Sequence, residues 1–171
     1  MALCGAARDL YEAGIRVPFI ARWKGVVPAG GISHEIIAAQ DMMPTLAELA
    51  GTPLGMDTDG ISLVNALLGK PVITRHRYLY WDYGHNRDVY QQAVRLGDWK
   101  GVKRGTNGPV ELYYLGADIG ETTNLADRYP EIVGEIGWIM KTATTPNPRY
   151  EVGKPYQGGP IWKKSEQWKL R

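Results

Sequence analysis

One cysteine, Cys4, stands among the 171 residues. A single thiol excludes an internal disulfide and any zinc site built from paired cysteines. No run is long and apolar enough to cross a membrane as a helix, which takes ~20 residues. The opening stretch, MALCGAARDLYEAG, carries a charge pair where an export signal has its apolar run, so no signal peptide is read here. The formal net charge is only +2. Nucleic-acid binding needs a concentrated basic face. The one small basic group, Lys163, Lys164, Lys169 and Arg171, reads as a solvated tail. Neither a nucleic-acid nor a membrane partner is expected.

What is present is an ordinary globular mixture, with hydrophobic residues at 44% and charged residues at 22%. The length suits one domain or one and a half and can bury a core. VPFIARW (17–23) reads as a buried strand, apolar on both faces. A Gly- and Pro-rich loop follows. DMMPTLAELAG predicts a helix with Asp41 at its cap, Gly51 past its end and a core stripe of Met43, Leu46, Ala47 and Ala50. A shorter helix is predicted from Ser62 to Leu68. Asp57 and Asp59, in the loop between these helices, supply too few oxygens for calcium.

After Pro71 the sequence turns β-prone. RYLYWDY (77–83), QQAVRL (91–96), WKGVKR (99–104) and VELYYL (110–115) predict four strands, with a two-residue turn at Gly97-Asp98. Strands this close in sequence pair antiparallel, because parallel pairing needs long crossovers. Pro130 opens a predicted helix running to about Ala143, whose stripe of Ile132, Val133, Ile136, Ile139 and Met140 should cover one sheet face. Gly134 and Gly137 weaken it by ~1 kcal/mol each. Residues 144–171 should be irregular, pinned by Trp162 and Trp168.

LYEAGIRVPFIARWKG (10–25) closely resembles the segment LYEGGIRVPFIARWPG of the sulfatase family. The likeness continues through DMMPTLAELAG, where the family reads DLLPTLLELAG, and through DGISLVNALLG. It resumes at QQAVRLGDWKGVK, ELYYL and DIGETTNLADRYPE, in the family's order, over most of residues 8–140. The resemblance implies the C-terminal end of an alkaline-phosphatase-like fold, an α/β remnant followed by an α+β part. Residues 1–70 would close the large α/β domain. Residues 71–145 would form the small subdomain, a four-stranded antiparallel sheet packed against a helix, with 146–171 as tail.

The resemblance also implies a chemistry. Sulfatases hydrolyse sulfate esters with a formylglycine made in a C/S-x-P/A-x-R motif, beside a calcium ion held by Asp and Asn or Gln. Cys4, followed by Gly-Ala-Ala-Arg, is read here as falling outside that motif and as an ordinary thiol. No catalytic residue and no metal ligand is assigned, so calcium and formylglycine are expected only in the complete enzyme. The family often has a lysine four residues before the Tyr of LYEGG, in contact with sulfate. That position is Ala7 here; the adjacent Arg8 is a candidate substitute cation only with a shifted backbone, against the reading of a surface arginine. WDYGHNRDVYQQAVR resembles a stretch reading WEFHE…QAVR, which makes His85 a candidate for a sugar hydroxyl, against an exposed loop histidine.

His34 and His76 read as loop histidines, and Lys100 as a strand lysine serving packing and surface pairing. Asp118, Glu121 and Asn124 suggest a turn held by side chain to backbone bonds rather than a calcium site. Three functions compete: the C-terminal segment of a sulfatase acting on a sulfated small molecule or glycan and inactive alone, a non-catalytic glycan-binding module, or a functionless fragment. Complete family members are often exported or lysosomal. Self-association through an unpaired strand edge is expected.

Overall fold

The structure is a computed structural model and describes residues 9–86 and 89–145. Cys4, Ala7, Arg8, Trp162, Trp168 and the terminal basic group lie outside the described residues. The described chain divides into two compact units. One combines residues 9–16 with those from Tyr80 onward, and the other is Val17–Leu79. The sheet unit therefore takes in residues 9–16.

In the sheet unit, the strands β1 (Leu79–Asn86), β2 (Val89–Leu96), β3 (Trp99–Arg104) and β4 (Val110–Tyr114) lie in sequence order. β2 pairs antiparallel with β3 through Ala93↔Val102 and Val94↔Gly101. β3 pairs antiparallel with β4 through Lys100↔Tyr113 and Gly101↔Leu112. The turn between β2 and β3 has positive φ at Gly97, 58°, and not at Asp98. That is the type II′ pattern, which puts glycine first because only glycine takes that conformation without strain.

Alternation assigns each strand two faces. One face carries Ala93, Val102 and Tyr113. It is covered by Leu10 and Tyr11, which lead into α1 (Glu12–Ile15), and these join Leu115 in one buried cluster with Ile15 and Trp81 against it. The opposite face carries Val94, Gly101 and Leu112. There α4 (Pro130–Thr142) buries Ile136, Ile139 and Met140. Gly101 makes this approach possible: a Cβ there would lie 2.5 Å from Ile136 Cγ2 and 3.1 Å from Val110 Cγ1.

In the second unit, α2 (Met42–Leu49) is followed by Gly51 at φ 64°, the left-handed cap expected, and α3 (Val64–Leu67) comes next. Two expectations fail here. Residues 17–23 form no strand: Val17 is 75% and Ile20 89% exposed, and Phe19 and Trp23 are exposed too. A strand exists only by hydrogen bonding to a neighbour, and this segment has none among the described residues. The stripe on α2 is likewise not core, since Met43 is 56% and Leu46 61% exposed. The buried residue of α2 is Thr45, whose Oγ1 donates to the Asp41 carbonyl at 2.6 Å and accepts from Leu63 N–H at 2.9 Å.

Candidate functional site

The described residues bring three charges together beneath α1. Lys100, from the middle of β3, is fully buried. Its Nζ lies 2.9 Å from Oε1 of Glu12 and 2.9 Å from Oε1 of Glu121. The contact with Glu12 is an aligned hydrogen bond, whereas that with Glu121 is a close ion pair lacking such alignment. Glu121 Oε2 in turn accepts from the backbone N–H of Glu12 at 2.6 Å. Burial raises the pKa of Glu121 above the ordinary carboxylate value, working against the hydrogen bond from Glu12 and the charge of Lys100.

Local structure explains how each charge arrives. Lys100 shares a sheet face with Tyr113, its register partner. Glu12 follows Leu10 and Tyr11, whose burial seats the segment on that face. Glu121 sits at φ 52°, the one positive φ outside glycine among the described residues. That conformation costs ~1–2 kcal/mol for an L-residue. Its carboxylate is held by Glu12 and Lys100, which offsets the strain. A second, partly buried group involves Tyr11, the neighbour of Glu12. Glu111 accepts from Tyr11 Oη and, at 2.8 Å, from Tyr113 Oη. Burial, with this bond to Glu111, pushes the Tyr11 phenol well above its usual range.

The reading of Lys100 as a surface lysine is thus corrected: two carboxylates compensate a strand ammonium where water does not reach. The remaining polar residues near Glu121 behave as a turn. Asp118 accepts from Thr122 N–H at 2.8 Å, Thr123 N–H at 2.9 Å and Thr122 Oγ1 at 3.0 Å. Asn124 Oδ1 accepts from Leu112 N–H and Ala126 N–H, each at 3.0 Å. These bonds hold the Asp118 carboxyl below its usual range, the backbone of Thr123 contributing most.

The second unit holds a hub that the sequence did not reveal. Asp41, fully buried, accepts from Ala38 N–H at 2.7 Å and Ile61 N–H at 2.9 Å. His76 Nε2 lies 2.8 Å from Asp41 Oδ1. His76 is thus a loop histidine, as expected, with its side chain anchored on Asp41. Of the candidate substrate contacts, His85 lies on β1 with only its backbone placement described, and Arg8 lies outside the described residues.

The implied calcium does not fit the described residues. No group of three His, Cys, Asp or Glu side chains among them converges on a point. Asp118 and Asn124 spend their oxygens on backbone, and Glu12 and Glu121 on Lys100.

Residues 6–141 match the family model described as N-sulphoglucosamine sulphohydrolase, C-terminal. Arylsulfatase A of Bos taurus is 31% identical over 160 residues, covering 81% of this chain and 31% of its own length. N-acetylgalactosamine-6-O-sulfatase of Bacteroides thetaiotaomicron is 28% identical over 152 residues, covering 82% and 30%. A solved chain, described under that bacterium's metabolism of multiple glycosaminoglycans, superposes with a TM-score of 0.66 at 29% identity, over 80% of this chain and 30% of that one. The fold is that of the C-terminal part of a sulfatase, a four-stranded antiparallel sheet with its covering helix. The chain belongs to the sulfatase family, and it spans less than a third of the length of the curated relatives it matches.

The match also bears on Cys4. By residue type, Cys4-Gly5-Ala6-Ala7-Arg8 does satisfy C-x-A-x-R. Its position is that of the C-terminal segment, since the family match already begins at residue 6.

Proposed function

We propose that this chain is the C-terminal portion of a sulfatase that hydrolyses sulfate esters of carbohydrates, and that the chain alone has no turnover. One observation carries this reading. The matched motifs LYEAG, GDWKG and DIGETTN each contribute one charge, Glu12, Lys100 and Glu121, to a single buried cluster. Motifs far apart in sequence are thereby given a common physical purpose, which is to fasten residues 10–16 to the sheet. The carbohydrate assignment draws on the relative named for N-acetylgalactosamine-6-O-sulfate chemistry.

In this reading the nucleophile and calcium belong to the rest of the enzyme, where the ion would neutralise sulfate oxygens. His85 hydrogen-bonds a sugar hydroxyl, and Arg8 supplies positive charge near the sulfate in place of the lysine that Ala7 replaces. Residues 1–70 close the large domain and 71–145 form the small subdomain. The exposed apolar residues Val17, Ile20, Met43 and Leu46 are where the chain self-associates when nothing covers them.

The test is an assay of the purified chain on a chromogenic aryl sulfate, with and without calcium, beside mass spectrometry of the peptide bearing Cys4. No turnover and an unmodified thiol are expected. Calcium-dependent hydrolysis, or formylglycine at Cys4, would overturn the reading.

A further inference from the structure

In the buried part of the cluster beneath α1, two carboxylates, Glu12 and Glu121, share one ammonium, Lys100. Lys100 and Glu121 are out of contact with solvent and Glu12 nearly so. Among the described residues, the other charges on the surrounding elements do not reach Glu121. Arg16, half exposed, places Nη1 3.5 Å from Oε2 of Glu12 and serves that carboxylate alone. Asp9 accepts from Leu10 N–H, and Asp118 is turned to Thr122 and Thr123. Glu111, on β4, is taken by Tyr11 and Tyr113. Among the described residues, Glu121 therefore shares the cation beside it, Lys100, with Glu12, and its Oε1 has no aligned donor. Two buried carboxylates on one buried ammonium are costly to keep ionised, and uptake of a proton by one of them relieves that cost.

We propose that the cluster is a proton-linked latch. Glu121 takes a proton from solvent on Oε1 in mildly acidic solution, Lys100 then pairs with Glu12 alone, and residues 10–16 are held to the sheet more firmly than at neutral pH. Oε2 stays an acceptor throughout, because the Glu12 N–H points at it from 2.6 Å. Burial raises the pKa of Glu121, in the same sense. A carboxyl that binds its proton more tightly folded than unfolded adds stability below its unfolded pKa. That contribution is lost as pH rises through the folded value.

The Glu12 amide, bonded to Glu121 itself, is a direct reporter. NMR of the full chain, labelled with 13C and 15N, should show the Glu121 carboxyl titrating above the ~4.3 of an unperturbed glutamate. The Glu12 amide shift should follow the same midpoint. The amides of Gly14, Ile15 and Arg16, bonded to Tyr11 and Glu12 carbonyls, should exchange more slowly on its acid side after correction for intrinsic rates. In Glu121→Gln the Glu12 amide should lose that titration. A wild-type midpoint at or below the unperturbed value would overturn the latch, whether or not the variant folds. So would a folded Glu121→Gln with unchanged pH dependence.

Discussion

Lys100 Nζ donates to Oε1 of Glu12 at 2.9 Å across 88 residues of sequence, with both side chains buried. Exposed ion pairs contribute little, but breaking a buried one leaves an uncompensated charge. Lys100→Met strands two carboxylates and should cost about 3–5 kcal/mol of stability in the sheet unit. Denaturant unfolding followed by tryptophan fluorescence would read this. A loss below ~1 kcal/mol would mean that the cluster holds nothing together.

The hub at Asp41 makes a parallel prediction for the other unit. Both carboxylate oxygens accept backbone N–H groups, from Ala38 and Ile61. Asp41→Asn turns one acceptor into a donor facing a donor, and a buried unsatisfied group costs about 1–3 kcal/mol. The loss should appear as faster amide exchange at Ala38 and Ile61, with β2 and β3 unaffected. Equal loosening of the sheet would contradict the division into two units.

Two glycines separate packing from propensity. Gly134 lies in α4 with nothing within 4 Å of a built Cβ, so Gly134→Ala should stabilise by about 1 kcal/mol. Gly101 has Ile136 at 2.5 Å from the same built atom, so Gly101→Ala should destabilise by about 1–3 kcal/mol through overpacking. Thermal melts of the two variants should move in opposite directions; shifts of the same sign would contradict the placement of α4 over β3.

The strands at 91–96 and 99–104, the Gly97-Asp98 turn and the helix from Pro130 were legible because periodicity and turn chemistry are local signals, and each agreed with its neighbours. The burial of Lys100 was not. A lysine in an alternating strand looks like any surface lysine until its partners arrive, and Glu12 and Glu121 lie 88 and 21 positions away. The Asp41–His76 pair was missed for the same reason. The apolar run at 17–23 and the stripe of Met43 and Leu46 were read correctly as apolar. Whether they are buried depends on what covers them, which periodicity does not encode.

His85 carries a prediction for catalysis. In a complete enzyme containing this segment, His85→Ala should lower kcat/KM on a carbohydrate sulfate while leaving the melting temperature nearly unchanged. A substrate contact acts on binding rather than on packing. An equal loss of stability and activity would mark the residue as structural.

Amide hydrogen exchange along the full chain tests the account most directly. The sheet unit is covered on both faces and anchored by Glu12, Lys100 and Glu121, while residues 17–23 have no strand partner among the described residues. Amides in 91–96 and 99–104 should exchange slowest, Glu12 should be protected with them, and 17–23 should exchange fast. A monodisperse monomer whose most protected amides lie in 17–23 would contradict the reading of this chain as a sulfatase segment organised around its small sheet.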